Sequence, residues 1–225
     1  MNDKKTWRHV TACAIALVVS NSTSANSILN GSFETPTVTS INQYQTILLG
    51  SEPAGFGWKI ISGNVDAVIS GTFFASSAID GLQFLDLDGT VPGGIAQSIV
   101  TIPGDTYVLN FAYANNPNGT TGATVPAGAT ARVTDTQSSN DLVSTLLLIH
   151  GSSTAIAPDW ATSGPIMFVA IGSNTTVSFT SDDTSGSGGI FLDAVSLNSV
   201  VPLPATFGLF GLGLGGIGLL RRCAT

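Results

Sequence analysis

Residues 106–114, TYVLNFAYA, put Tyr107, Leu109, Phe111 and Tyr113 on one parity and Val108, Asn110 and Ala112 on the other. Successive side chains of an extended chain point to opposite faces, so this stretch reads as a β-strand with an aromatic face turned to a core. Outward from it the same habit recurs. Residues 176–180 alternate Val177 and Phe179 against Ser178, and 58–69, 83–88, 95–102, 130–134, 142–150, 166–171 and 190–197 are further strand candidates. No stretch between Asn26 and Val200 sustains a helical period of 3.6. Short strands at this spacing, separated by turn residues, predict an all-β jelly-roll β-sandwich. Residues 115–128 (NNPNGTTGATVPAG) read as a long surface loop, and 182–189 (DDTSGSGG) as a hairpin tip. Residues 26–200 then make one domain, large enough to hold its own core.

Composition narrows the function. Of 225 residues, 43% are hydrophobic and only 9% charged, with a net charge of −7. Between Asn26 and Val200 the only basic residues are Lys59 and Arg132, against thirteen carboxylates. Nucleic-acid binding needs cationic side chains to displace counterions from phosphate, so it is excluded as an expected partner. The abundance of apolar residues between turns argues equally against disorder.

The two ends read as addresses. Lys4, Lys5 and Arg8 precede an uncharged run at 10–19 (VTACAIALVV), followed by the small residues Ser22, Thr23, Ser24 and Ala25. That is the order of parts in a secretory signal peptide, with cleavage expected after Ala25. Ten helical residues at ~1.5 Å each cover about half of a ~30 Å hydrocarbon core, too little for a retained anchor. At the other end, Val201-Pro202-Leu203-Pro204 leads into 205–220 (ATFGLFGLGLGGIGLL), closed by Arg221 and Arg222. This reads as a transmembrane helix of ~24 Å with its basic end on the cytoplasmic side of the inner membrane. Both cysteines, Cys13 and Cys223, lie in these end segments, so 26–200 contains no disulfide.

The tail resembles the PEP-CTERM sorting signal, which has a Val-Pro-x-Pro opening, a glycine-rich membrane helix and a basic terminus; this chain carries Leu203 where that motif has Glu. The resemblance implies export by a Gram-negative bacterium that makes extracellular polysaccharide. It also implies an exosortase-type processing enzyme as partner, acting at a signal made of Val201, Pro202, Pro204, Arg221 and Arg222.

The domain carries a second resemblance. It opens with Ile28-Leu29-Asn30-Gly31-Ser32-Phe33-Glu34. Gly57-Trp58, Gly63-Asn64-Val65-Asp66, Asp80-Gly81 and Phe84-Leu85-Asp86-Leu87 follow. Gln97, Pro103-Gly104, Tyr107 and Asn116-Pro117 come next, and the domain closes with Phe191-Leu192-Asp193-Ala194-Val195-Ser196-Leu197. In this order the motifs resemble the choice-of-anchor C domain, the DUF642 proteins and galactose-binding-like sandwiches such as carbohydrate-binding modules.

Candidate chemistry is sparse. Phe191, Asp193, Val195 and Leu197 share one parity, which places Asp193 on a core-facing row. A buried carboxylate is costly unless paired or bound to a cation. In the modules resembled, first and last strands meet at a structural Ca²⁺. Carried over, Glu34 and Asp193 would supply carboxylate oxygens to it, with the backbone near Asn30 completing the shell. The alternative is that Leu192 and Ala194 face inward, leaving Asp193 solvated or bonded to backbone amides. Asp86-Leu87-Asp88-Gly89 resembles part of a calcium loop but lacks its third acid and closing Glu, so it reads as a strand end and turn. Asp182 and Asp183 read as solvated. Trp58 reads as core, whereas Trp160, after Pro158-Asp159, and Tyr44 are the candidates for stacking on a sugar ring. His150, near Ser152 and Ser153, is the only histidine beyond the N-terminal segment, and no nucleophile elbow or histidine pair accompanies it. The expected function is therefore an exported surface or matrix protein, structural or carbohydrate-interacting and not an enzyme. The alternative is a secreted polysaccharide-acting enzyme using paired carboxylates.

Overall fold

The computed structural model describes residues 26–39, 41–71, 78–116, 127–143, 146–184 except 151–157, and 186–200. The segments 1–25 and 201–225 lie outside the described residues, and with them the expected signal helix and the span at 205–220. Among the described residues no helix is long and apolar enough to cross a membrane.

Every strand pair is antiparallel, and the strands divide between two sheets. The first sheet runs β1 (Tyr44–Leu48), β3 (Asn64–Ile69), β4 (Gln83–Asp86), β12 (Ile190–Val200), β6 (Thr106–Asn115) and β10 (Ile166–Val169), with β9 (Ala161–Thr162) also pairing β6. The second runs β2 (Lys59–Ser62), β5 (Gly94–Val100), β11 (Asn174–Ser181), β7 (Ala127–Asp135) and β8 (Leu146–His150). This is the all-β jelly-roll sandwich that the alternation predicts.

Strand β6 keeps the expected parity: Tyr107, Leu109 and Phe111 are buried in the core between the sheets. Aromatic rings fill its centre. Trp58 lies 5.8 Å from Phe33 and 6.1 Å from Phe179, and Phe179 meets Phe111 edge-on at 5.0 Å. Offset and edge-on pairs of this kind add to what burial alone contributes.

The expected strand over 58–69 is two strands in different sheets, divided at Gly63. Its φ of +48° suits glycine, and a Cβ there would collide with the Pro92 carbonyl. The segment after β11 is not a hairpin tip: β11 belongs to the second sheet and β12 to the first, so residues 182–189 cross between the layers. Asp182 is exposed, as expected, and Asp183 is partly buried. Asp182 accepts the Thr130 hydroxyl at 2.8 Å, and Asp183 lies against Asp88.

The last strand departs most from its pattern. Its register against β6 shifts between Asp193 and Ser196, and Ala194 takes a φ of +52°. Such a bulge inserts a residue and reverses parity beyond it. Ile190 and Leu192 therefore point into the main core, as do Val195 and Leu197, while Phe191 packs on the other face. Asp193 follows Phe191 to the outer face, not the core-facing row that unbroken alternation implies. It is nevertheless 0% exposed, because residues 78–80 cover it.

Candidate functional site

The outer face of the first sheet carries a row that sequence alone does not reveal. Thr46, Asp66, Asp86, Phe191 and Ala114 are direct neighbours across β1, β3, β4, β12 and β6. Along each strand the acids alternate with core residues: Val65 and Ala67 flank Asp66, and Leu85 and Leu87 flank Asp86. The apolar pattern that folds the strands thus sends both carboxylates to the same side. A cleft of about 340 Å³ opens there. Its walls are Tyr44, Asp66, Asp86, Asp88, Asn116 and Phe191, with Thr90 and Gly188 at the turns.

Asp86 is held from several directions. Its Oδ1 accepts the Asp88 and Gly189 amides at 3.0 and 3.1 Å, and its Oδ2 accepts Asn116 Nδ2 at 2.7 Å. The turn beyond it is pinned by Asn64, whose Oδ1 accepts the Thr90 amide at 2.7 Å. This presents Asp88 to the cleft while leaving it only 2% exposed. Asp66 Oδ1 and Asp88 Oδ1 are buried and accept no hydrogen bond. Native structures leave few such atoms, and each carries a desolvation cost that a donor would relieve.

Electrostatics follow from this crowding. Burial pushes the Asp88 carboxyl up to about 6, and the neighbouring Asp183 adds to the rise. Burial also raises Asp86 well above the ordinary range, with Asp88 and Asp66 as further negative neighbours. Asp66 is raised for the same first reason, opposed by a hydrogen bond from Thr46. Among the described residues, no cationic side chain lines the cleft.

The aromatic candidates separate here. Tyr44, 44% exposed, forms part of the cleft wall. Trp160 is half-buried behind it, edge-on to Phe84 at 5.7 Å and 6.4 Å from Phe191, so it backs the ring that forms the cleft floor. Trp58 is core, as expected, and donates its Nε1 to the Asn30 carbonyl at 3.2 Å. The His150 side chain and Ser152 and Ser153 lie outside the described residues.

A family model described as a protein of unknown function, DUF642, matches residues 26–196. The chain belongs to the DUF642 family. No curated protein matches it. Solved structures that resemble the domain include TmCBM61 in complex with β-1,4-galactotriose, at 14% identity over 77% of this chain and 98% of that one, with a TM-score of 0.47. A CBM4 structure matches at 14% identity over 77% and 99%, TM-score 0.41. A family 35 carbohydrate binding module from Clostridium thermocellum matches at 16% over 68% and 97%, TM-score 0.41.

In this DUF642 domain the opening motif builds a strap. Asn30 Nδ2 donates to the Thr35 and Phe56 carbonyls at 2.7 and 2.9 Å, and its Oδ1 accepts the Thr35 amide. Gly31 lies so close to Val195 that a Cβ would overlap that residue's carbonyl, and Val195 N donates to Gly31 O at 2.9 Å. Glu34 Oε1 accepts the Leu82 and Gln83 amides, both at 2.7 Å. Asp193 accepts Ile79 and Asp80 on Oδ2, at 2.6 and 3.0 Å, and Ala194 on Oδ1 at 2.6 Å. Burial still raises Asp193 to about 6.

These contacts test the calcium that the resemblance implies. Ca²⁺ needs six to eight oxygens with lone pairs turned toward it. N–H donors face Asp193 and Glu34 instead, and Asn30 is engaged at both ends. Among the described residues, no three His, Cys, Asp or Glu side chains gather into a group that could hold a metal ion. The set Glu34, Asp193 and Asn30 does not fit a bound cation. It fastens the strap and the 78–83 segment to the sheets.

Sequence reading missed Asp66 as a site residue and took Asp86 and Asp88 only as a strand end and turn. They do form that turn, but the β3–β4 register also sets them around one cleft. The available signal is an acid flanked on both sides by apolar core residues, Val65 and Ala67 in one case and Leu85 and Leu87 in the other.

Proposed function

We propose that this protein is a carbohydrate-interacting β-sandwich that binds a glycan in the cleft between Tyr44, Asp66, Asp88 and Asn116. The observation that carries the reading is that Asp66 and Asp88, each with a buried Oδ1 that accepts no hydrogen bond, line the same cleft as the exposed ring of Tyr44. Sugars offer both complements at once, since hydroxyls donate to carboxylates while the C–H face of the ring packs on an aromatic. Phe191, backed by Trp160, supplies an apolar floor.

Export belongs to the same proposal. The basic and apolar parts of 1–25 would direct the chain out of the cytoplasm. The tail, with Val201, Pro202, Pro204, Arg221 and Arg222, would engage the inner membrane and an exosortase-type enzyme on the way to the surface or polysaccharide matrix.

Calorimetric titration with a panel of neutral and charged oligosaccharides tests the binding reading. Tyr44→Ala is expected to weaken binding about tenfold with an unchanged melt, since this ring is largely outside the core. Absence of binding across the panel overturns the reading. Release of reducing ends from a bound glycan would turn it toward a hydrolase using paired carboxylates.

A further inference from the structure

The charge of the cleft bears on which glycan it takes, and a selectivity argued from that charge rests on the carbohydrate-binding reading. Three carboxylates, Asp66, Asp86 and Asp88, line the cleft, and a fourth, Asp183, stands against Asp88. Among the described residues the lysine and arginine side chains are those of Lys59 and Arg132, and neither serves this site. Lys59 lies on β2 in the other sheet, and Arg132, on β7, is paired with Asp141 at 2.8 Å. Asp88 is a wall residue, 2% exposed, and keeps one oxygen with no donor, and Asp66 Oδ1 is in the same state.

The charge and acceptor-only chemistry of these lining carboxylates rank the groups a sugar could present. A carboxylate or sulfate on the glycan would face several like charges without a counterion. A hydroxyl supplies one donor to one oxygen. An ammonium supplies three donors and a positive charge, and charge-assisted hydrogen bonds are roughly twice as strong as neutral ones. It would also offset the repulsion among the acids. Tyr44 stacks well beneath a ring next to such a cation.

We infer that the cleft selects sugars by charge, taking a glycan with free amino groups and rejecting one with uronic acids. The bound unit is an amino sugar whose ammonium lies between Asp66 and Asp88, its ring against Tyr44.

The test is calorimetric titration of the protein with three oligosaccharides at neutral pH: deacetylated chitosan oligomers, their N-acetylated counterparts, and oligogalacturonate. The expected result is that the deacetylated oligomer binds at least about tenfold more tightly than the acetylated one and weakens with added salt, while oligogalacturonate gives no heat. Asp66→Asn should remove most of the preference, and Asp105→Asn, an exposed acid away from the cleft, should retain it; this separates the site from general attraction to an acidic protein. Asp88→Asn is a second variant, judged only after its melt shows a folded domain. Equal or tighter binding of the acetylated or uronic oligomer overturns charge selection but leaves the carbohydrate reading standing. Equal loss of preference in Asp66→Asn and Asp105→Asn also overturns it. If none of the three oligomers and no other glycan binds, both readings fall.

Discussion

Asp66 and Asp86 stand directly opposite each other on neighbouring antiparallel strands, two acids of one sign in a position where facing residues interact most strongly. The register that brings them together is set by their neighbours in the core, so the repulsion is imposed by the fold. Asp66→Asn keeps a side-chain oxygen for Thr46 while removing one charge. It should stabilise the domain by roughly 0.5–1 kcal/mol, seen as a rise in the denaturant midpoint at unchanged slope. An unchanged or lower midpoint would show that the two acids do not repel.

The pH dependence of stability has a definite sign. Folded Asp88 and Asp193 hold their protons up to about pH 6, and Asp66 and Asp86 are also raised. Unfolded aspartate releases its proton near ~3.9, so between these values the folded state binds more protons than the unfolded one. Stability therefore falls as pH rises through that window. Glu52 and Asp135 are lowered by hydrogen bonds, from backbone amides and from Ser138 respectively, and act in the opposite direction at more acid pH. The melting temperature should be higher at about pH 5 than at about pH 7.5, and Asp88→Asn should flatten the difference. A melt that rises steadily toward neutral pH would contradict the burial of these acids.

The bulge in β12 makes opposite predictions for two small residues. Ala194 holds a positive φ that costs an L-residue roughly 1–2 kcal/mol, so Ala194→Gly should be neutral to stabilising by about 1 kcal/mol. Gly31→Ala forces a Cβ into the Val195 carbonyl and should destabilise by about 1–3 kcal/mol or more. Chemical denaturation of the pair reads both signs in one experiment.

Gln83 ties the strap to β4 from within the protein. Its Nε2 donates to the Phe33 and Pro36 carbonyls and its Oε1 accepts the Val38 amide. Gln83→Leu leaves these backbone groups without partners at a buried site, with an expected loss of about 2–4 kcal/mol. A loss below about half a kcal/mol would mean that water replaces the amide.

The layers of the sandwich are legible from alternation because strands bury one parity over most of their length, as β11 does through Phe179 and β6 does through Phe111. Strand β1 was missed because only Ile47 of its five residues is buried, so it carries almost no apolar signature. In strand β12 parity gives the right facing beyond the bulge, for Val195 and Leu197, and the wrong one before it, for Phe191 and Asp193, since parity cannot register an inserted residue. Tyr44 was legible as an aromatic in a polar segment. The acids of the cleft were not, because Asp66 and Asp86 lie twenty residues apart in sequence and become neighbours only through strand pairing. The carboxylates singled out from the family pattern, Glu34 and Asp193, are the ones already satisfied by amide donors.

Strand β12 fixes one more relationship. Phe191, on the cleft floor, is near its start, and Val200 ends it nine residues later. At ~3.3 Å per residue these points are separated by about 30 Å. The first residues of the domain join the same far end, where Ser27 donates to the Leu197 carbonyl at 2.8 Å. Both ends of the domain thus leave from the pole of β12 remote from Phe191, so anything attached at either end would stand about 30 Å from the floor of the cleft.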